Sequence, residues 1–231
     1  MKKRTLILLR HGESEYNKAH LFTGWTDVEL SEKGQKEAAY AGALLASHGL
    51  YPDICFTSWL KRAIHTAHIT LDEMAWEHID VLKSWRLNER HYGSWQGQNK
   101  ERVREEVGEA HFLAVRRGYD TPPPPLAEDD PRSPYFEKKY QKVDPLLLPR
   151  SESLKETRER VWAYYLEAIV PKLEEGDTVL VSAHGNSLRA LVMGLENLTP
   201  EEIVRVEIPT GRPWVYVLNE TNSVIEKREL A

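Results

Sequence analysis

The 231-residue chain has a single cysteine, Cys55. No internal disulfide can form and no cysteine cluster can hold a metal, so a reducing, cytoplasmic compartment is the expectation. Long hydrophobic runs are missing too. The opening MKKRTLILLR has an apolar stretch, Leu6 to Leu9, too short for a signal-peptide core and ended by Arg10. No stretch approaches the ~18 apolar residues of a membrane span, so no membrane association is expected. A basic surplus is also lacking: Lys and Arg number 31 against 36 Asp and Glu, a net charge of −5. That argues against a nucleic-acid partner, and the seven tryptophans are not interleaved with basic residues as a base-stacking platform requires. It leaves an anionic small molecule open, because a local basic pocket can focus the field against the global sign. No GxxxxGK[ST] loop occurs, which removes nucleotide-driven phosphate chemistry of that kind.

What remains is an ordinary globular composition, 41% hydrophobic and 29% charged, on a length that fits one domain over 1–231. Thr5 to Leu9 reads as a buried strand. Ser31 is placed to cap a helix running to about Ser47, with Gly49 just beyond. Asp53 to Thr57 reads as a second strand, followed by a helix over Leu60 to Met74. Ser153 and Glu156 form a capping box, and Trp162, Tyr165, Leu166, Ile169, Val170 and Leu173 continue at helical spacing. Pro171 falls inside that pattern and is expected to kink its last turn. Thr178 to Ala183 is a buried strand, a helix is expected from near Asn186, and Thr199, Pro200 and Glu202 mark another helix start. Trp214 to Leu218 reads as the last strand. Alternating strands and helices imply a three-layer α/β/α sandwich around a mainly parallel sheet.

The segment 96–150 breaks the alternation. It is polar, carries the run TPPPP (Thr121 to Pro125), and has room only for short helices near Lys100 to Val107 and Ala110 to Arg117. A long irregular stretch in a compact domain is usually functional, and this one reads as an inserted lid segment.

Two apolar strands end in His-Gly: LILLRHG at His11 and VLVSAHG at His184. Ligands of open α/β sheets bind beyond the carboxyl ends of strands, so both histidines can face one cleft. RHGESEYN, Arg10 to Asn17, suits phosphate. The arginine can fork onto phosphate oxygens, the glycine lets backbone N–H groups approach an anion, and neutral imidazole is a nucleophile near pH 7. AHGNSLRA runs from the second histidine into a helix whose N-terminus favours anions. LKRAIHT adds Arg62 and LNERHYG adds Glu89. A lone histidine at a strand end is most often a hydrogen-bonded structural residue; two histidines, two arginines and a carboxylate in these contexts are not.

RHGESEYN together with FTGWTDVELSEKG, LKRAIHT, LNERHYG and AHGNSLRA resembles the cofactor-dependent phosphoglycerate mutase branch of the histidine phosphatase superfamily, over roughly Thr5 to Leu218. The resemblance implies an isomerase that interconverts 2-phosphoglycerate and 3-phosphoglycerate through a phosphohistidine, primed by 2,3-bisphosphoglycerate and needing no metal. It implies His11 as the phosphorylated nucleophile, with Arg10, Arg62 and His184 around the transferring group. Glu89 would be the proton donor and acceptor for the substrate hydroxyl. Asn17, Thr23, Gly24, Gly185 and Asn186 would floor the phosphate and carboxylate sites, and Tyr92, Lys100, Arg116 and Arg117 would reach the distal anionic groups. The expected assembly is a homo-oligomer, a dimer. Water as acceptor in place of a hydroxyl would make a hydrolase; the cationic residues of segment 96–150 favour retention of a doubly charged intermediate. Too few residues follow Leu218 for the long cap of some relatives, so sealing the site is expected to fall to 96–150, with the short tail a lesser contributor.

His65 and His68 stand three apart on a helix with no third ligand in view, and His91, beside Glu89, is a candidate for support only. With no convincing set of metal ligands, activity is expected to survive EDTA. A loss that manganese restores would overturn the assignment.

Overall fold

The computed structural model describes residues 4–231. Six strands, β1 (Arg4–Arg10), β2 (Ile54–Thr57), β3 (Asp80–Lys83), β4 (Thr178–Ala183), β5 (Trp214–Leu218) and β6 (Val224–Glu229), form one sheet in the order β3-β2-β4-β1-β5-β6. The β3-β2, β2-β4 and β4-β1 pairs are parallel, and β1-β5 and β5-β6 antiparallel. Successive residues of a strand point to opposite faces, and the core divides accordingly. Leu6, Leu8, Phe56, Val179, Val181 and Tyr216 join one buried cluster, while Ile7, Leu9, Cys55, Leu180 and Val215 join the other. A sheet buried on both faces reads as continuous apolar runs, which is how LILL and TVLVSA appear.

Helices α2 (Glu32–Ser47) and α3 (Lys61–Glu73) contribute Ala41, Leu45, Ala67 and Leu71 to the second cluster. Helices α6 (Leu154–Tyr164) and α8 (Gly185–Leu195) cover the other face through Val161, Tyr164, Leu188 and Leu191. Ser31 caps α2 by accepting the Gly34 N–H, and Ser153 and Glu156 form their capping box. The three-layer sandwich stands as expected.

Three elements depart from their sequence patterns. The last strand is not Trp214–Leu218, because β6 follows it antiparallel. VIEKRE carries no apolar period, since an edge strand with solvent on both faces buries little, and charge there discourages pairing with other chains. Its chain end is anchored, however: Leu230 is 6% exposed and its N–H donates to Pro213 O. The short tail therefore completes the sheet and contributes nothing to the cleft described below. The helix patterned through Pro171 is interrupted by a π-helical turn, Tyr165–Ile169, ahead of α7 (Val170–Glu175). Proline gives no N–H and crowds the carbonyl four residues back, and the wider turn relieves both. Strand β3, four residues long and mostly exposed, is too short to show a pattern.

Segment 96–150 holds α4 (Lys100–Val107) and α5 (Glu109–Arg117), close to the expected bounds. Val103, Phe112 and Val115 pack with Phe22, Tyr92 and Trp95 in a small separate core. The polyproline run is tied down by Ser94 N–H to Pro124 O, and Leu126 N–H to Arg150 O closes the excursion between them. Leu230→Ala should cost about 2–4 kcal/mol, the range for emptying a buried leucine site. Urea unfolding of the variant checks this, and an unchanged midpoint would show that β6 is not anchored by Leu230.

Candidate active site

In-register pairing of β1 with β4 sets Arg10 opposite Ala183. The next residue on each strand is a histidine, so both leave the sheet at the same end. His11 N–H continues the ladder to Ala183 O, and the two imidazoles lie 5.0 Å apart, edge to face.

His11 is 3% exposed. Its Nδ1 lies 2.7 Å from Gly12 O, a pure acceptor, so Nδ1 carries the ring proton. Arg62 Nε donates to Nε2 at 3.3 Å, which requires a lone pair there. Both contacts select one tautomer, with the lone pair on Nε2. Burial, then Arg62 and Arg10, hold the imidazole well below its ordinary value, so it is neutral. His184 is fully buried and lowered by burial, Arg62 and His11. Ser58 Oγ accepts from Leu60 N–H and lies 2.8 Å from His184 Nε2. The Ser58 hydroxyl can donate to Nε2 or accept from it, and His184 Nδ1 is buried without a partner.

The guanidinium groups are held by backbone carbonyls. Arg62, in the first turn of α3, donates to Gly24 O (2.8 Å) and Thr26 O (3.0 Å), and Arg10 Nη1 donates to Ile208 O (2.7 Å). Burial pushes Arg62 down to about 10, still charged at neutral pH. Arg10 Nε is buried without a partner.

One glycine acts differently from expectation. Gly12 N–H is used by Thr66 Oγ1 (3.1 Å); the absent side chain instead lets the loop pack against Gly34 of α2, whose carbonyl a Cβ would overlap. Gly24 adopts φ +54 with no room beside Gln96. The N-terminus of α8 is also engaged: Asn186 N–H donates to Glu89 Oε1 (3.0 Å), as does Arg90 N–H (2.8 Å). An anion is bound there, and it is the protein's own carboxylate.

Arg10, His11, Asn17, Thr23, Gly24, Arg62, Glu89, Tyr92, Lys100, Arg116, Arg117, Gly185 and Asn186 all line one cleft. His184 stands behind it, in ring contact with His11. Asn17 Oδ1 is committed to Ser14 N–H in a capping box. For Tyr92, burial raises the phenol, but Arg90 and the Asn186 hydrogen bond together turn the net direction down; Lys100 is lowered by burial. Four lining residues lie outside the expectation: Phe22, Arg189, Glu207 and Ile208. Arg189 follows Asn186 by one turn of α8 inside AHGNSLRA and donates to Asn186 Oδ1 (2.9 Å), a spacing that could have flagged it. Glu207, paired with Arg117 at 3.1 Å, and Ile208, present through its carbonyl, carry no sequence signal.

Six cationic side chains thus face two carboxylates in a chain of net charge −5. Arg10 Nε, a buried donor without a partner, and the neutral His11 imidazole belong to this cleft. The arrangement fits a polyanion whose phosphoryl group is exchanged with nitrogen. Among the described residues no group of three or more potential ligands is set to hold a metal ion, and no helix is long and apolar enough to cross a membrane.

A family model described as histidine phosphatase superfamily (branch 1) matches residues 6–229. The chain is 54% identical over 216 residues to a 2,3-bisphosphoglycerate-dependent phosphoglycerate mutase of Thermobifida fusca, covering 94% of this chain and 87% of the relative. It is 52% identical over 225 residues to the protein of the same description from Lachnoclostridium phytofermentans, covering 97% and 90%. Among solved structures, a mycobacterial glucosyl-3-phosphoglycerate phosphatase superposes with a TM-score of 0.74 at 23% identity, covering 98% of this chain and 97% of that one, a likeness of fold.

Three buried histidines sharpen the pH response of folding. His11 and His184 are lowered well below the ordinary value, and His91 to about 3, by burial and then Arg160. Unfolded, each binds a proton below about pH 6.5 that the folded state refuses. Stability is therefore fully present above pH 6.5 and falls as pH drops toward the folded values, by about 1.4 kcal/mol per pH unit per histidine. Urea midpoints at pH 7.5, 6 and 5 measure this; a flat profile would show that the histidines titrate normally.

Proposed function

The chain belongs to the histidine phosphatase superfamily, branch 1, and from that membership and its mutase relatives we infer that it interconverts 2-phosphoglycerate and 3-phosphoglycerate through a phosphohistidine. The protein is an isomerase, dependent on 2,3-bisphosphoglycerate, which supplies the priming phosphoryl group. The observation that carries the site assignment is the His11 tautomer: a buried, neutral imidazole whose Nε2 lone pair accepts from Arg62 beside a cationic cleft.

In this reading His11 Nε2 attacks phosphorus. The N–P bond forms as the P–O bond to the glycerate oxygen breaks, and Glu89 gives that oxygen a proton. In the return step Glu89 takes the proton of the other hydroxyl as its oxygen attacks the phosphohistidine. Arg10, Arg62 and His184 surround the charge that spreads over the phosphoryl oxygens, already desolvated and in place. Asn17, Thr23, Gly24, Gly185 and Asn186 border the phosphoryl and carboxylate positions. Tyr92, Lys100, Arg116 and Arg117 hold the distal charges and bring segment 96–150 over the cleft as a lid. Excluding water matters because water is the competing acceptor. The homodimer expected from the resemblance belongs to the same proposal and has support in the open edge of β3, where Leu82 is exposed. The cytoplasmic setting expected from the single cysteine belongs to the same proposal.

The test is a phosphorus NMR time course with 3-phosphoglycerate and trace 2,3-bisphosphoglycerate. The expected result is 2-phosphoglycerate at equilibrium with little free phosphate, and release of free phosphate as the main product would make the protein a hydrolase. His11→Ala should abolish both isomerisation and the acid-labile phosphoprotein; labelling of that variant by radioactive bisphosphoglycerate would remove His11 from its role.

A further inference from the structure

Glu89 stands on an irregular loop between two short 3-10 turns, Trp85–Leu87 and Gly93–Trp95. No sheet or helix ladder fixes its backbone, yet proton transfer requires its carboxylate to be placed within a fraction of an ångström. A buried ion pair outside the cleft supplies the missing framework. Arg160 of α6 and Glu152, just before that helix, have side chains 9% and 4% exposed. Arg160 Nε and Nη2 meet the two Glu152 oxygens at 2.6 and 2.8 Å. Its remaining donors go to three successive parts of the loop: Nη1 to Arg86 O (2.8 Å) and Asn88 O (3.0 Å), and Nη2 to Glu89 O (2.8 Å). Glu152 Oε2 accepts the His91 N–H at 2.8 Å, and Glu152 N–H donates to His91 O at 2.9 Å. Trp25 Nε1 donates to the second lone pair of Glu89 O (2.6 Å), with the Arg160 guanidinium 5.6 Å above its ring.

The carbonyl of Glu89 and both backbone polar groups of His91 are therefore fastened to one ion pair, which lines no part of the cleft. A buried ion pair is a weak source of stability, since desolvation roughly cancels attraction. What a planar, five-donor guanidinium does supply is fixed spacing and angle between its acceptors. Misplacing a reacting group by about 1 Å can cost 10²-fold.

We propose that Arg160 and Glu152 are positioning residues that set the Glu89 carboxylate for proton transfer, acting through the loop's main chain alone. The proposal rests on Glu89 being the proton donor and acceptor. Its test uses two phosphoryl donors for His11. With 2,3-bisphosphoglycerate, the breaking P–O bond leaves an alkoxide-like oxygen that needs the Glu89 proton. With phosphoramidate, the breaking P–N bond releases ammonia that already carries its proton, so no general acid is needed. Single-turnover formation of acid-labile phosphoprotein is followed for the wild type, Arg160→Met, Arg160→Lys, Glu152→Gln and, as the control, Glu89→Gln.

Arg160→Met should slow transfer from bisphosphoglycerate by about 10–100-fold and leave the phosphoramidate rate within about threefold, with kcat reduced more than KM is raised. Arg160→Lys, which keeps the charge but cannot span five acceptor atoms, should recover only part of the loss. Glu89→Gln should show the same donor dependence, more strongly, at roughly 10²–10⁴. Equal slowing with both donors, or none with either, in the Arg160 and Glu152 variants while Glu89→Gln discriminates would overturn the positioning role. If Glu89→Gln itself fails to discriminate, the reading of Glu89 falls and takes the proposal with it. Should Arg160→Met not fold, Glu152→Gln, which keeps side-chain shape, carries the comparison.

Discussion

The parallel pairing of β1 with β4, Arg10 opposite Ala183, is the constraint from which the site follows. A strand's side chains alternate, so a slip of one residue would turn Leu6, Leu8 and both histidines to the wrong positions together. Both faces of these strands are packed, so such a slip would force two cores to repack at once. The same register sends two chain segments out of the sheet side by side, one into RHGESEYN and one into α8. Everything that touches the imidazole pair, from Arg62 on α3 to Ser58 beyond β2, is hung on adjacent strand ends.

Electrostatic focusing in this chain depends on how the cations are held more than on how many there are. Arg10 leans on Ile208 O, Arg62 on Gly24 and Thr26, Arg90 on Val115 and Arg116, and Arg189 on Arg117 and Ile203. Carbonyls satisfy N–H groups without cancelling charge. The positive field is left for a ligand, whereas an arginine paired to a carboxylate would already be neutralised. Arg90 and Arg189 add a second effect: their acceptors include the last carbonyls of α5, the favourable end of the helix for a cation. This contact places Arg116 and Arg117 at the cleft and ties segment 96–150 to the sheet. The exception is Arg117, whose partner Glu207 is exposed and exchangeable. Such pairs contribute little, so an anionic ligand group can replace the glutamate with small loss.

Much of the fold and of the site is legible in the residues themselves. LILL and TVLVSA declare buried strands because both faces of a central strand are apolar. Ser153 with Glu156 and Thr199 with Glu202 declare helix starts because capping is a local exchange of hydrogen bonds over four residues. The cleft residues are legible for a related reason: phosphate chemistry needs His, Arg and Gly in short contiguous runs at strand ends, and those runs are visible as words in the chain. Lys100, Arg116 and Arg117 stand out only through resemblance, since nothing local distinguishes them from other surface cations.

Tertiary structure alone decided the rest. Strands β3 and β6 exist because a neighbouring strand offers them hydrogen bonds, which leaves no hydrophobic period behind. The π turn before Pro171 is a compromise between a proline and the packing of Tyr165 and Ile169 on the sheet. Gly12 serves close packing on Gly34, and the helix N-terminus at Asn186 serves Glu89, although both read as free anion binders. The tautomer of His11, the entry of Arg189 and Glu207 into the cleft, and the bracing of the Glu89 loop by Arg160 and Glu152 all arise from side chains meeting groups that the folded backbone brings to them. Sequence specifies which groups can donate and accept. Only the packed sheet and its covering helices determine which of them meet.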